Sequence, residues 1–85
     1  MDLQKVRSEI DELDNQLAEL LNKRMELVNH VAQIKKQSGI KITDSNRENE
    51  ILERVCTGEN AEYLKKIFNT IFEVSKEKQR KNNEG

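Results

Sequence analysis

The chain has 85 residues, of which 36% are charged and 34% hydrophobic, with three glycines, no proline and no tryptophan. Fifteen basic against sixteen acidic side chains leave a formal net charge of −1, which removes the electrostatic reason to expect nucleic acid as a partner. A single cysteine, Cys56, and a single histidine exclude an internal disulfide framework and a structural zinc site.

The amino terminus lacks the apolar core of a signal peptide, and no stretch approaches the roughly 18 apolar residues that span a bilayer. The expectation is one cytoplasmic all-α domain over residues 1–85, without membrane contact. Leu, Ile, Glu, Lys and Asn dominate, which favours long helices over sandwiches and barrels.

The first helix is expected over about 2–38. Its apolar positions run Leu3, Val6, Ile10, Leu13, Leu17, Leu20, Leu27, Val31 and Ile34, in steps of three and four interrupted only at Arg24. Such an alternation marks a coiled-coil-like seam, and Ser38-Gly39 supplies the stop. At the rise of an α-helix this element is roughly 55 Å long, whereas a compact domain of this length has a radius of gyration of about 12 Å. Leu21, Met25 and Val28 widen the stripe beyond the seam. A second copy of the chain is the expected cover.

Ile40-Lys41-Ile42 reads as an extended connector, followed by Thr43-Asp44-Ser45-Asn46, with Glu48 in capping-box register to Ser45. The second helix is expected over about 45–56, with Ile51, Leu52 and Val55 on one face, and Thr57-Gly58-Glu59-Asn60 breaks it. The third is expected over about 60–80, with Asn60 as N-cap, Leu64, Ile67, Phe68, Ile71 and Phe72 at helical spacing, and a frayed Asn-Asn-Glu-Gly tail.

Polar residues interrupt every apolar face. Arg24 breaks the first seam, and Lys35, eleven residues later, returns to nearly the same face about 16 Å further along. Arg47 and Glu48 share the apolar face of the second helix, and Ser75 and Gln79 continue that of the third. Each has a bland account: a register-setting arginine, a solvated lysine at a helix end, an Asp44–Arg47 pair, a capping glutamate, a fraying terminus. Together they describe a cationic pocket with neutral donors, suited to a small dianion. Arg7 is a further candidate, but it lies 28 residues before Lys35, about 42 Å away along one helix. It could join the pocket only from an antiparallel partner chain.

The runs Val6-Arg7-Ser8-Glu9-Ile10-Asp11-Glu12-Leu13-Asp14, Leu20-Leu21-Asn22-Lys23-Arg24, Val31-Ala32-Gln33-Ile34-Lys35 and Asp44-Ser45-Asn46-Arg47-Glu48 together resemble an AroQ-type chorismate mutase. The resemblance covers Leu3 to about Gln79, with Lys41 where the family often has proline, a shorter turn before the third helix, and no dehydratase, dehydrogenase or synthase domain attached. It implies an intertwined helical homodimer with two equivalent sites, each borrowing Arg7 from the partner.

The implied reaction is the rearrangement of chorismate to prephenate, an isomerisation in phenylalanine and tyrosine biosynthesis that needs no cofactor and no metal. Arg7, Arg24, Lys35 and Arg47 then match the cationic positions. Asp44 and Glu48 match those near the substrate hydroxyl, and Ser75 and Gln79 those on the last helix. Lys35 and Gln79 are the expected donors to the ether oxygen, where negative charge grows as the C–O bond breaks. The catalytic set is Lys35, Gln79, Arg24 and Glu48, with the arginines clamping the carboxylates and Ser75 assisting. The alternative is a non-catalytic helical dimerisation module, which leaves two cations on one stripe without a use.

Overall fold

The computed structural model describes residues 2–84 and contains three helices and, among those residues, no strand. Helix α1 spans Leu3–Ser38, α2 spans Ser45–Val55 and α3 spans Ala61–Glu84. None is long and apolar enough to cross a membrane.

Each boundary has a local cause. Asp2 caps α1 by accepting from the Gln4 backbone N–H at 3.1 Å. Gly39 ends it in the left-handed region, at φ 69°, where its N–H reaches the Lys35 carbonyl. A side chain at that φ would be strained, so the stop belongs to glycine. Lys35 and Lys36 occupy the last turn, where the helix dipole favours cations.

Helix α2 differs from expectation at its start. Asp44, not Ser45, is the N-cap, and its carboxylate accepts from the Arg47 backbone N–H at 3.0 Å. That puts Arg47 at the third helical position, so no Ser45–Glu48 capping box forms and the Glu48 carboxylate is left for other partners. Helix α3 runs on to Glu84, past the expected end near residue 80, and of the expected frayed tail only Gly85 lies outside the described residues. Its far end is tied to α1 by Asn82 Nδ2 donating to Asn29 Oδ1 at 2.6 Å. With Arg24–Ser75, this contact advances in step along both helices, so α1 and α3 run in the same direction.

The core is small: Val28, Ala32, Ile51, Cys56 and Phe72 are the buried apolar residues. Phe68 and Phe72 tilt against each other with ring centroids 6.2 Å apart. On α1, the chain therefore covers the face carrying Met25, Val28 and Ala32, adjacent to the periodic seam. The seam itself stays open, with Leu20 60% and Leu27 64% exposed. Leu3, Ile10, Leu13 and Leu17 are exposed as well. The result is elongated, 54 × 26 × 14 Å with a radius of gyration of 16.0 Å, because α3 packs on the carboxyl-terminal part of α1 and α2 packs on α3.

Candidate active site

A cavity of about 280 Å³ opens where the carboxyl-terminal half of α1, the connector, α2 and the end of α3 meet. Arg24 and Lys35 enter from α1, Asp44 from the cap of α2, Arg47 and Glu48 from α2, and Ser75 and Gln79 from α3. These are seven of the eight residues singled out by the sequence. Arg7 is exposed near the other end of α1 and does not line the cavity. Leu27, Val28, Val31, Ile42, Ile51 and Phe72 supply the apolar wall.

Arg24 is held by α3. Its guanidinium donates to Ser75 Oγ at 2.5 Å, and Ser75 Oγ donates onward to the Ile71 carbonyl at 2.8 Å. Ser75 is buried, and the pair explains why a hydroxyl stands where the α3 stripe calls for an aliphatic side chain. Burial first, and the positive charge of Arg47 second, lower the Arg24 pKa from its ordinary value. The guanidinium still stays charged at neutral pH.

Lys35 Nζ donates to the Ile42 carbonyl at 2.8 Å, which fixes the connector against α1. An ammonium has three donors, so two remain for a ligand.

Arg47 lines the cavity but does not point into the core as its helical face suggested; it is exposed, and its guanidinium pairs with Glu50 at 3.0 Å. The Asp44–Arg47 side-chain pair, the bland account of Arg47, is not what forms: Asp44 accepts from the Arg47 backbone N–H. Glu48 is half-buried and pairs with Lys76 at 3.3 Å.

Gln79 is 6% exposed, and its Oε1 is buried without a hydrogen-bond partner among the described residues. Leaving such a group unpaired costs about 1–3 kcal/mol. A half-turn of the amide exchanges that acceptor for two N–H donors at the same point in the cavity.

Lys76 was missed by the sequence reading. It stands four residues after Phe72 and three before Gln79, so the helical period already placed it on the inward face. With it the cavity carries four cations against two carboxylates, a surplus of two positive charges. An apolar-walled cavity with that surplus and a buried orphan amide, its Ser75 hydroxyl engaged by Arg24 and the Ile71 carbonyl, suits binding and holding a small dianion more than attacking it.

Comparison with known proteins agrees with this chemistry. The family model described as chorismate mutase type II matches residues 6–80. The chorismate mutase of Methanocaldococcus jannaschii is 38% identical over 79 residues, covering 87% of this chain and 80% of that protein. A bifunctional chorismate mutase/prephenate dehydratase of Buchnera aphidicola is 34% identical over 79 residues, a stretch that makes up 20% of its length. In three dimensions, a conserved hypothetical protein from Pyrococcus furiosus superimposes with a TM-score of 0.79 at 42% identity, covering 91% of this chain and 93% of that one. With the family model matched along nearly the whole chain and the inward-facing cations gathered in one cavity, the chain belongs to the chorismate mutase type II family.

Proposed function

We propose that this mutase rearranges chorismate to prephenate, in the synthesis of aromatic amino acids, as a homodimer whose two sites each combine residues of both chains. The observation that carries the reading is the meeting of Arg24, Lys35, Arg47 and Lys76 in one cavity with only two carboxylates, Asp44 and Glu48, to balance them. Arg24 and Arg47 repel each other there, and a dianionic substrate relieves that repulsion. A helical dimerisation module would have no reason to keep it.

The reaction is unimolecular, and the task of the site is to hold one conformer and to stabilise charge that appears only in the transition state. Arg24 and Arg47 hold the substrate carboxylates, which match guanidinium forks better than a point charge does. Ser75 aims Arg24. The two free donors of Lys35 and the amide of Gln79 face the ether oxygen, whose negative charge grows as its bond to carbon breaks. Glu48, with Asp44 beside it, accepts from the ring hydroxyl.

Arg7 supplies the remaining cation from the partner. The support for this is geometric: α1 is unbroken, so 17 residues hold Arg7 about 26 Å from Arg24 in its own chain. The exposed apolar residues from Leu3 to Leu20 lie on this overhanging part of α1, a surface that a second α1 running in the opposite direction would cover.

The direct test follows the loss of chorismate absorbance on adding purified enzyme and identifies prephenate by NMR. A protein that folds and dimerises but leaves chorismate unchanged above the spontaneous rate refutes the reading.

A further inference from the structure

Glu48 is the one carboxylate expected to touch the substrate that lies in a half-buried position, and it lines the cavity proposed to take the dianionic substrate. Left alone, it would repel the ligand that it must orient. The capping box that would have occupied it is absent, because Asp44 has taken that role.

Among the described residues, its ion-pair partner is Lys76, whose side chain is only 13% exposed. Lys76 Nζ lies 3.3 Å from Glu48 Oε2 and 3.0 Å from Glu73 Oε1. Glu73 is exposed and on the same helix, so it anchors the ammonium from the solvent side, while Glu48 meets it from the cavity side. Glu48 Oε1 is left without a protein partner in these pairs and free to accept a hydroxyl.

The other charges facing this corner are Arg24 and Lys35 from α1 and Asp44 and Arg47 from α2. Arg47 pairs with Glu50, Lys35 donates to the Ile42 carbonyl and Arg24 donates to Ser75. None of them pairs with Glu48.

We infer that Lys76 is a positioning residue for the rearrangement: it fixes one oxygen of Glu48, offsets its charge beside the substrate dianion, and thereby aims the other oxygen at the ring hydroxyl. Lys76 acts through Glu48 and does not itself touch the reacting atoms. The hydrogen bond with Glu73 raises the Lys76 pKa most; desolvation opposes it, and the hydrogen bond and charge of Glu48 raise it further, so the ammonium persists throughout the neutral range. Glu73 is largely exposed, so water screens that side of the pairs. The effect is therefore sought in alignment, not in stability.

This inference rests on the proposed substrate, and the test separates the two. Lys76→Met, Lys76→Gln, Lys76→Arg, Glu48→Gln and the double variant Lys76→Met/Glu48→Gln are assayed on chorismate and on the analogue lacking the ring hydroxyl. Circular dichroism and thermal midpoints confirm that each is folded.

With chorismate, the Met and Gln variants are expected to lose about ten-fold in kcat/KM, the worth of one aligned bond to a charged group. The Arg variant should keep most of the parent rate. With the deoxy analogue the Met and Gln variants should lose clearly less than with chorismate, only the part that comes from the uncompensated Glu48 charge, because no hydroxyl remains to align. The double variant should equal Glu48→Gln alone.

An equal loss on both substrates makes Lys76 a packing residue and overturns the inference, as does no loss on either. A parent enzyme inert toward chorismate instead refutes the proposed function, whatever the variants do.

Discussion

A site shared between chains can be tested by destroying each half separately. In the proposed site Arg7→Ala and Arg24→Ala would each remove one guanidinium contact to a substrate carboxylate, worth about 3 kcal/mol, so each variant alone should retain ~1% of parent activity. Because α1 is one continuous helix from Leu3 to Ser38, no bend brings Arg7 to its own cavity.

Unfolded together in equal amounts and refolded, the two variants should give about half mixed dimers, each with one intact pocket and one lacking both arginines. About a quarter of all pockets then recover, and activity rises roughly 25-fold over either variant alone, by the same two-fold symmetry. Mass spectrometry of differently tagged chains verifies the exchange, and chorismate consumption reads the outcome. If Arg7 served its own chain, every pocket would still lack an arginine. Verified mixed dimers with no recovered activity would refute the shared site.

Three further outcomes follow from the geometry. Lys35→Ala should lower turnover at least 100-fold, about 3 kcal/mol of transition-state stabilisation, with an unchanged circular dichroism spectrum; near-parent activity would remove Lys35 from the site. Thermal midpoints should rise with protein concentration if the dimer is as proposed, since the folded chain leaves its apolar seam exposed; sedimentation showing a stable folded monomer at micromolar concentration would contradict this. Gln79→Leu should stabilise the fold by about 1 kcal/mol, because it removes a buried unpaired acceptor, while activity falls. A lower urea midpoint would show that the amide is already satisfied.

The inward-facing charges were legible in the sequence because helical periodicity places a residue on a face without reference to anything distant. Arg24 and Lys35 share a side of α1 by spacing alone, and Ser75 and Gln79 share one on α3. The same periodicity implied Lys76, but a lysine among lysines carries no signal until its neighbours are known. Periodicity also misled at Arg47: the side chain is long enough to leave its face for Glu50. At Ser45 two residues competed to cap one helix, and local sequence did not rank Asp44 above it.

The sequence by itself determined that the chain is helical, where α1 stops, and that its apolar surface exceeds what two short helices can bury. Spacing and capping are properties of neighbouring residues, so they are readable before folding. The tertiary structure alone decided which stripe of α1 faces inward. The chain covers Val28 and Ala32 and leaves the longer, more regular seam exposed. Which residues α3 lays against α1 depends on where the connector and turn deliver it, and no periodic pattern contains that information. The same docking brings Lys76 to Glu48 and buries the oxygen of Gln79, contacts between residues far apart in the chain that exist only once the helices have met.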